Sequence, residues 1–306
     1  MTASLNPYIS KFDKELDVEK SSQYRLTIQF SLGGLSFALL DAKPQSLIGL
    51  EYFQSDLLAD SADLFRTLER ALESRGLNNK EFLSETFIID ERINSLVPAP
   101  LFDEREAGRF LDFGFQVSGS YDVISEKLET VDAYNVYAWP KALRDKLVTK
   151  WPKARIIHSS RVFIDSVMGS SDNASVFVNV RNRDFDMVIQ KNGKLTFFNN
   201  FRFNTKDDFA YFLVFAMEQN GLSGQDTPVY FTGLILPASE IIDLCGRYVR
   251  NIRFMMDPHK LQVSKALDEV PFQYYYIHYQ ELMRAESGRE TRDYWSHVPQ
   301  TRIAHP

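Results

Sequence analysis

The sequence predicts an α/β protein made of two related halves, each built around a β-β-β-α-β unit within a mixed five-stranded sheet with helices. Three observations carry this prediction. Strand-like runs come in groups of three, and each group leads into one amphipathic helix and a further strand. Equivalent positions keep one constant offset, so that Gln29 aligns with Asn179 and Leu35 with Phe185. Finally, 306 residues with 44% hydrophobic content can bury two cores of ordinary domain size.

In the first half, after a polar leader, "YRLTIQF" (Tyr24 to Phe30) and "LSFALLD" (Leu35 to Asp41) flank a Gly33-Gly34 turn, and "SLIGLEYFQ" follows. β-branched and aromatic residues between turn signals make this a three-strand meander. The segment "SADLFRTLERALESRG" sets Leu64, Phe65, Leu68 and Leu72 at helical spacing, with Ser61 as N-cap and Gly76 as the stop. "FLSETFIID" then reads as a buried strand. The second half repeats the order with "ASVFVNV", "FDMVIQKNG" and "KLTFFNNFRF". Its helix starts at Thr205, with Asp208 completing an approximate capping box and Phe209, Phe212, Leu213, Ala216 and Met217 on one face. Gly221 ends it, and "PVYFTG" supplies the closing strand.

Between the halves, "LVPAPLFDEREAGRFLDFGF" reads as an insertion or crossover with a helix from Glu104. Strand, helix, strand and helix follow in "AYNVYAWPKALRDKLVTKWPKARIIHSSRVFIDSVMG". The loop chemistry of "GSSDN" sets the boundary, giving a first domain over 1–170 and a second over 171–306. A return of the C-terminal segment to the first domain is the alternative for the last residues. There "VPFQYYYIHYQELM" places Phe272, Tyr275, Tyr276 and Tyr279 as packing aromatics on a terminal helix or strand.

A net charge of -6 and no run of lysine or arginine argue against nucleic acid as the partner. The single cysteine, Cys245, has no intrachain partner and reads as a small core residue in a reducing compartment. No secretory h-region and no membrane-length apolar run occurs, so a cytoplasmic protein without a transmembrane segment is expected. The five histidines show no metal-ligand spacing with the cysteine, and no Walker A or Gly-x-Ser-x-Gly motif is present.

The duplicated meander resembles the actin-like ATPase superfamily, whose RNase H-like domains occur in actin, sugar kinases, Hsp70-type chaperones and PilM-type pilus-assembly proteins. "GKLTFFNNFRFNTKDDFAYFLVFAMEQNGL" and the terminal "VPFQYYYIHYQELM" are, more narrowly, similar to an uncharacterised bacterial family of that fold, a domain of unknown function. The resemblance implies a nucleotide site at two hairpins, the first typically reading Asp-Leu-Gly-Thr and the second Asp-Leu-Gly-Gly-Gly-Thr-Phe-Asp. Here the corresponding stretches are Gln29-Phe30-Ser31-Leu32, followed by Gly33 and Gly34, and Asn179-Val180-Arg181-Asn182-Arg183-Asp184-Phe185-Asp186. Gln29 and Asn179 stand at the carboxylate positions, and an amide carries no charge with which to hold a hard divalent cation. Arg181 and Arg183 stand where glycines would let main-chain NH groups close on phosphates. These arginines can bind phosphate, but the preferred reading is that they are surface charges at the turn, simply solvated or paired with Asp184 and Asp186. Of the glycine pair on the adenosine side only Gly233 survives, after Thr232; it can simply end its strand, with Pro237 starting the next helix. Asp41 is a further carboxylate at a strand end.

The expectation is thus a degenerate nucleotide site over Gln29, Ser31, Gly33, Gly34, Asn179, Arg181, Arg183, Asp186, Thr232 and Gly233, with no catalytic residue, no metal and no cofactor. The protein would be an interaction scaffold for an unknown protein partner, with a homo-oligomer allowed. The competing expectation is an unconventional ATP-binding protein or ATPase, taking ATP with Mg in the interdomain cleft. A third, resting on fold analogy alone, is a pilus-like or envelope-associated adaptor that binds a partner peptide.

Overall fold

Local hydrophobic pattern becomes strand wherever β-branched and aromatic residues alternate or run together between turns. The computed structural model describes residues 6–31, 34–43, 45–54, 61–169, 173–256 and 262–284. In the first half β1 (Ile9–Phe12) precedes the meander β2 (Tyr24–Ser31), β3 (Gly34–Asp41) and β4 (Ser46–Gln54), then α1 (Ser61–Ser74) and β5 (Ser84–Asp90). An insertion holds β6 (Asn94–Pro98), α2 (Ala107–Asp112) and β7 (Tyr121–Lys127). After it come β8 (Ala133–Pro140), α3 (Lys141–Lys150), β9 (Arg155–His158) and α4 (Ser159–Val167). The second half runs β10 (Ser175–Val180), β11 (Asp184–Lys191), β12 (Lys194–Arg202), α5 (Lys206–Gln219), β13 (Val229–Gly233), α6 (Glu240–Cys245) and β14 (Ile252–Phe254). β15 (Gln262–Val263), a 3-10 turn over Phe272–Tyr275 and α7 (Tyr276–Arg284) follow.

The two halves share one topology. The order β4-β3-β2-β5-β9 in the first sheet recurs as β12-β11-β10-β13-β14 in the second. β2 pairs antiparallel with β3 and parallel with β5, as β10 does with β11 and β13. Gln29 faces Ser36 across its hairpin and Asn179 faces Asp186, so the offset seen in sequence is the structural register. β10 is buried at every position, which suits a continuous apolar run covered on both faces.

The first sheet departs from the expected five strands. β1 joins β4 antiparallel and β15 joins it parallel, giving seven strands. β1 is four half-buried residues, too short for period two to show in the leader. The insertion's β6 and β7 pair with β8 to form a three-stranded sheet, β6-β8-β7, and the insertion's helix starts at Ala107 instead of Glu104. Residues Glu104–Glu106 form a 3-10 turn because the Asp103 side chain accepts from the Arg105 NH. Likewise Ser239, and not Pro237, caps α6. Ser61 is itself the first helical residue of α1, and the segment before it lies outside the described residues. Thr205 and Asp208 form a complete capping box on α5, and Gly221 leaves the helix in the left-handed region at φ 65°.

Each half has its own apolar core, and a third core joins them. It unites Ile88, Ile157 and Phe163 of the first half with Phe177 and Val188 of the second, sealed by Tyr276 and Ile277 of α7. Among the described residues no helix is long and apolar enough to cross a membrane.

Candidate functional site in the cleft between the sheets

Parallel strands of an α/β sheet direct their C-terminal ends to one edge, and ligand clefts form there. β5 ends at Asp90 and β13 at Gly233. Between them lies a cleft of about 520 Å³, lined by Gln29, Ser31, Gly34, Asn179, Arg181, Arg183 and Gly233. Ser36, Tyr52, Tyr121 and Tyr274 line it as well. Two residues of the sequence-read set lie behind its wall: Asp186 and Thr232 are fully buried. Thr232 Oγ1 donates to the carbonyl of Gln273, a residue of the cleft wall, at 3.3 Å. Gly33 lies outside the described residues.

The hairpin between β10 and β11 turns through Arg181 to Asp184, closed by the Arg181 NH donating to the Asp184 carbonyl at 2.8 Å. This turn aims the Arg181 guanidinium inward. Its Nη1 and Nη2 donate to the two oxygens of Asp186 at 2.6 and 3.0 Å, a bidentate pair. Nη1 also reaches Asp90 at 3.1 Å, and Nε pairs with Asp184. Burial opposes charge on this side chain, yet Asp186, Asp90 and Asp184 together hold it protonated well above the usual guanidinium range. Burial pushes the Asp184 carboxyl upward against the pull of Arg181.

Asp90 was not singled out in sequence, and it is the centre of the site. It accepts from Gln29 Nε2 at 2.8 Å, from Ser159 at the start of α4, and from Arg181 of the other half. The available signal was its place as the last residue of a buried strand. Its neighbour Glu91 is pushed up to about 7, first by burial and then by Asp90 and Asp184. Asn200 Nδ2 donates to Asp186 at 2.8 Å, completing that carboxylate's partners.

The glycines have local reasons. A Cβ on Gly34 would stand 2.5 Å from Ser31 Oγ. Gly233 has φ 86°, and a Cβ there would lie 2.1 Å from the Val180 carbonyl. That carbonyl accepts from the Leu234 NH at 2.7 Å, so β13 must pass tightly over the end of β10. Asp41 lies at the other end of β3, where it accepts from the Lys43 NH at 2.9 Å, and contributes nothing to the cleft. Behind the cleft floor His278 of α7 is clamped between Thr27 Oγ1 and Ser36 Oγ, each at 2.8 Å. Burial takes its pKa down to about 3. Cys245 is buried in the second core, its thiol pushed up to about 12 by burial.

Among the described residues no group of three or more His, Cys, Asp or Glu side chains is arranged to hold a metal ion. In the cleft, Asp90, Asp184 and Asp186 converge on Arg181.

A family model described as "Protein of unknown function (DUF3822)" matches residues 13–252. A comparison with curated proteins gives no match. Among solved structures, a Bacteroides thetaiotaomicron protein with actin-like ATPase fold and unknown function superposes with a TM-score of 0.74 at 17% identity, covering 88% of this chain and 98% of that one. A structure of the PilM-PilN type IV pilus biogenesis complex superposes with a TM-score of 0.60 at 12% identity, covering 85% of this chain and 98% of that one. At these identities the likeness establishes the actin-like ATPase fold.

Proposed function

This chain belongs to the DUF3822 family and has the actin-like ATPase fold, and from its cleft we propose that it is a non-catalytic interaction scaffold built on a degenerate nucleotide site. One observation carries the reading: the guanidinium of Arg181 stands among Asp90, Asp184 and Asp186 as a built-in cation. A divalent ion would need those carboxylates free, and expelling a bidentate, buried arginine to reach them is costly. Gln29 and Asn179 add no charge in compensation. The residues present therefore do not fit magnesium. The apolar core shared by the two halves also supports a fixed body over one that opens and closes on a nucleotide. That a protein of this fold occurs in a pilus biogenesis complex is an analogy for scaffold use and names no partner here.

The volume of the cleft favours a second reading, a metal-free anionic ligand. About 520 Å³ is within the ordinary range of small-molecule pockets, and Arg183 and Arg202 lie on its wall. Calorimetric titration with ATP and ADP, with and without magnesium, separates the readings. The scaffold reading expects no binding by folded protein in any condition. Binding that is indifferent to magnesium and lost in Arg183→Ala establishes the second reading. Magnesium-dependent micromolar binding with hydrolysis overturns the scaffold reading.

A further inference from the structure

We propose that the outer face of α5 is a docking surface for an amphipathic helix of another protein, one with a basic residue at each end of its apolar stripe. The inference rests on the scaffold reading and supplies the partner class that reading leaves open.

The argument begins in the sequence of α5, which is apolar without a break from Phe209 to Met217. Such a run makes a helix hydrophobic on all sides, a composition proper to a helix covered all round. Among the described residues only one side is covered: Phe209, Leu213, Ala216 and Met217 enter the second core. On the other side Tyr211 is 60% exposed and Phe215 44%. Their rings stack at 5.6 Å with an interplanar angle of 16°, a flat apolar platform. Beside it Val214, Leu222 and Tyr248 wall a cavity of about 210 Å³. Gly224 keeps that wall close, since a Cβ there would stand 2.2 Å from the Tyr248 carbonyl. A platform with an adjoining socket suits a helix that lays down a stripe and inserts one large apolar side chain.

Charge selects the occupant. At 100° per residue, Asp207 and Glu218 fall on the same face as Tyr211, three turns apart, about 16 Å along the axis, and both are exposed. Lys206 does not offset them, because its Nζ is turned to Glu240 of α6 at 2.7 Å. The stripe thus carries one carboxylate at each end. A second copy packed antiparallel would set Asp207 against Glu218, and a parallel copy would set like against like, so repulsion disfavours self-association. A partner helix with lysine or arginine at matching ends removes the conflict.

Two labelled synthetic helices with the same leucine stripe, one ended by lysines three turns apart and the other by glutamates, test this by fluorescence anisotropy on the full-length protein. The lysine peptide is expected to bind in the micromolar range and the glutamate peptide about tenfold more weakly or worse. Asp207→Lys with Glu218→Lys should invert the preference. Tyr211→Ser with Phe215→Ser should abolish binding at unchanged melting temperature, both side chains being exposed. Equal affinity for the two peptides, no saturable binding, or binding indifferent to the substitutions overturns the proposal. So does a dimer in sedimentation that Tyr211→Ser with Phe215→Ser dissolves, which would assign the face to a second copy. Failure here with no nucleotide binding in calorimetry leaves the scaffold reading standing; magnesium-dependent ATP hydrolysis removes that reading whatever the peptides do.

Discussion

Arg181 decides the chemistry of the cleft at the scale of a single residue. Its removal as Arg181→Met would leave Asp90, Asp184 and Asp186 facing one another without a counter-charge. Loss of one partner from a buried ion pair costs about 3–5 kcal/mol, which urea unfolding at pH 7 measures. Burial already pushes the Asp184 carboxyl up against the pull of Arg181, so in the variant it stands further above its unfolded value. The deficit is then full at neutral pH and shrinks as pH falls, because protonation favours the folded form. Millimolar magnesium should raise the melting temperature of this variant and leave that of the wild type unchanged; an equal rise in both would contradict the built-in cation. Gly233→Ala is a second test, expected to cost about 1–3 kcal/mol or more from the φ of 86° alone, with contact on the Val180 carbonyl added. The pairing of Arg181 with Asp184 and Asp186 was legible in the sequence as one of two options, since one turn brings them together, but the burial of Arg181 corrects the expected surface charge. Asp90 was not legible, because its partnership depends on how the ends of β5 and β10 meet across the cleft, a fact of tertiary structure.

At the scale of the element, α7 holds the C-terminal segment to the first half by chemistry that its aromatic sequence did not disclose. Arg155 pairs with Glu281 at 2.9 Å and Arg284 with Asp165 at 3.1 Å, while Arg161 links Glu126 and Glu129 behind them. The aromatic positions were readable as packing, and Tyr276 and Tyr279 are fully buried. The charges between them look like solvated helix residues until the partner strand is known. His278, clamped between Thr27 and Ser36, makes this attachment sensitive to acid. Its folded pKa of about 3 lies below the ordinary imidazole value of 6.5, so its contribution is complete above pH 6.5 and is lost as pH falls toward the folded value. Through that window one imidazole costs about 1.4 kcal/mol per pH unit. His278→Gln is expected to lower stability at pH 7 yet flatten the decline from pH 6 to 5 by about that slope. Urea midpoints of both proteins at pH 7, 6 and 5 check it; parallel curves would show that His278 does not titrate on unfolding.

On the scale of the whole molecule, the duplication that the sequence shows as two units has become one body. The constant offset between Gln29 and Asn179, and between Leu35 and Phe185, reflects two sheets of the same strand order, each able to fill its own core. What periodicity within a half could not express is the third core, where strands of both halves and α7 meet. Cooperativity should follow from it. Two domains joined only by polar contacts open separately, whereas a shared apolar core makes the exposure of one a cost to the other. The wild type is therefore expected to unfold in one calorimetric transition whose calorimetric and van't Hoff enthalpies agree. Tyr276 is the side chain to remove, being 1% exposed in that core and bonded through its hydroxyl to Ser166 at 3.0 Å. Tyr276→Ala should cost about 3–5 kcal/mol and split the transition into two, the earlier one belonging to the less stable half. A variant that melts lower but still in one step would place the coupling elsewhere, in the Asp90–Arg181 bridge, and Arg181→Met would then be the substitution that divides the molecule.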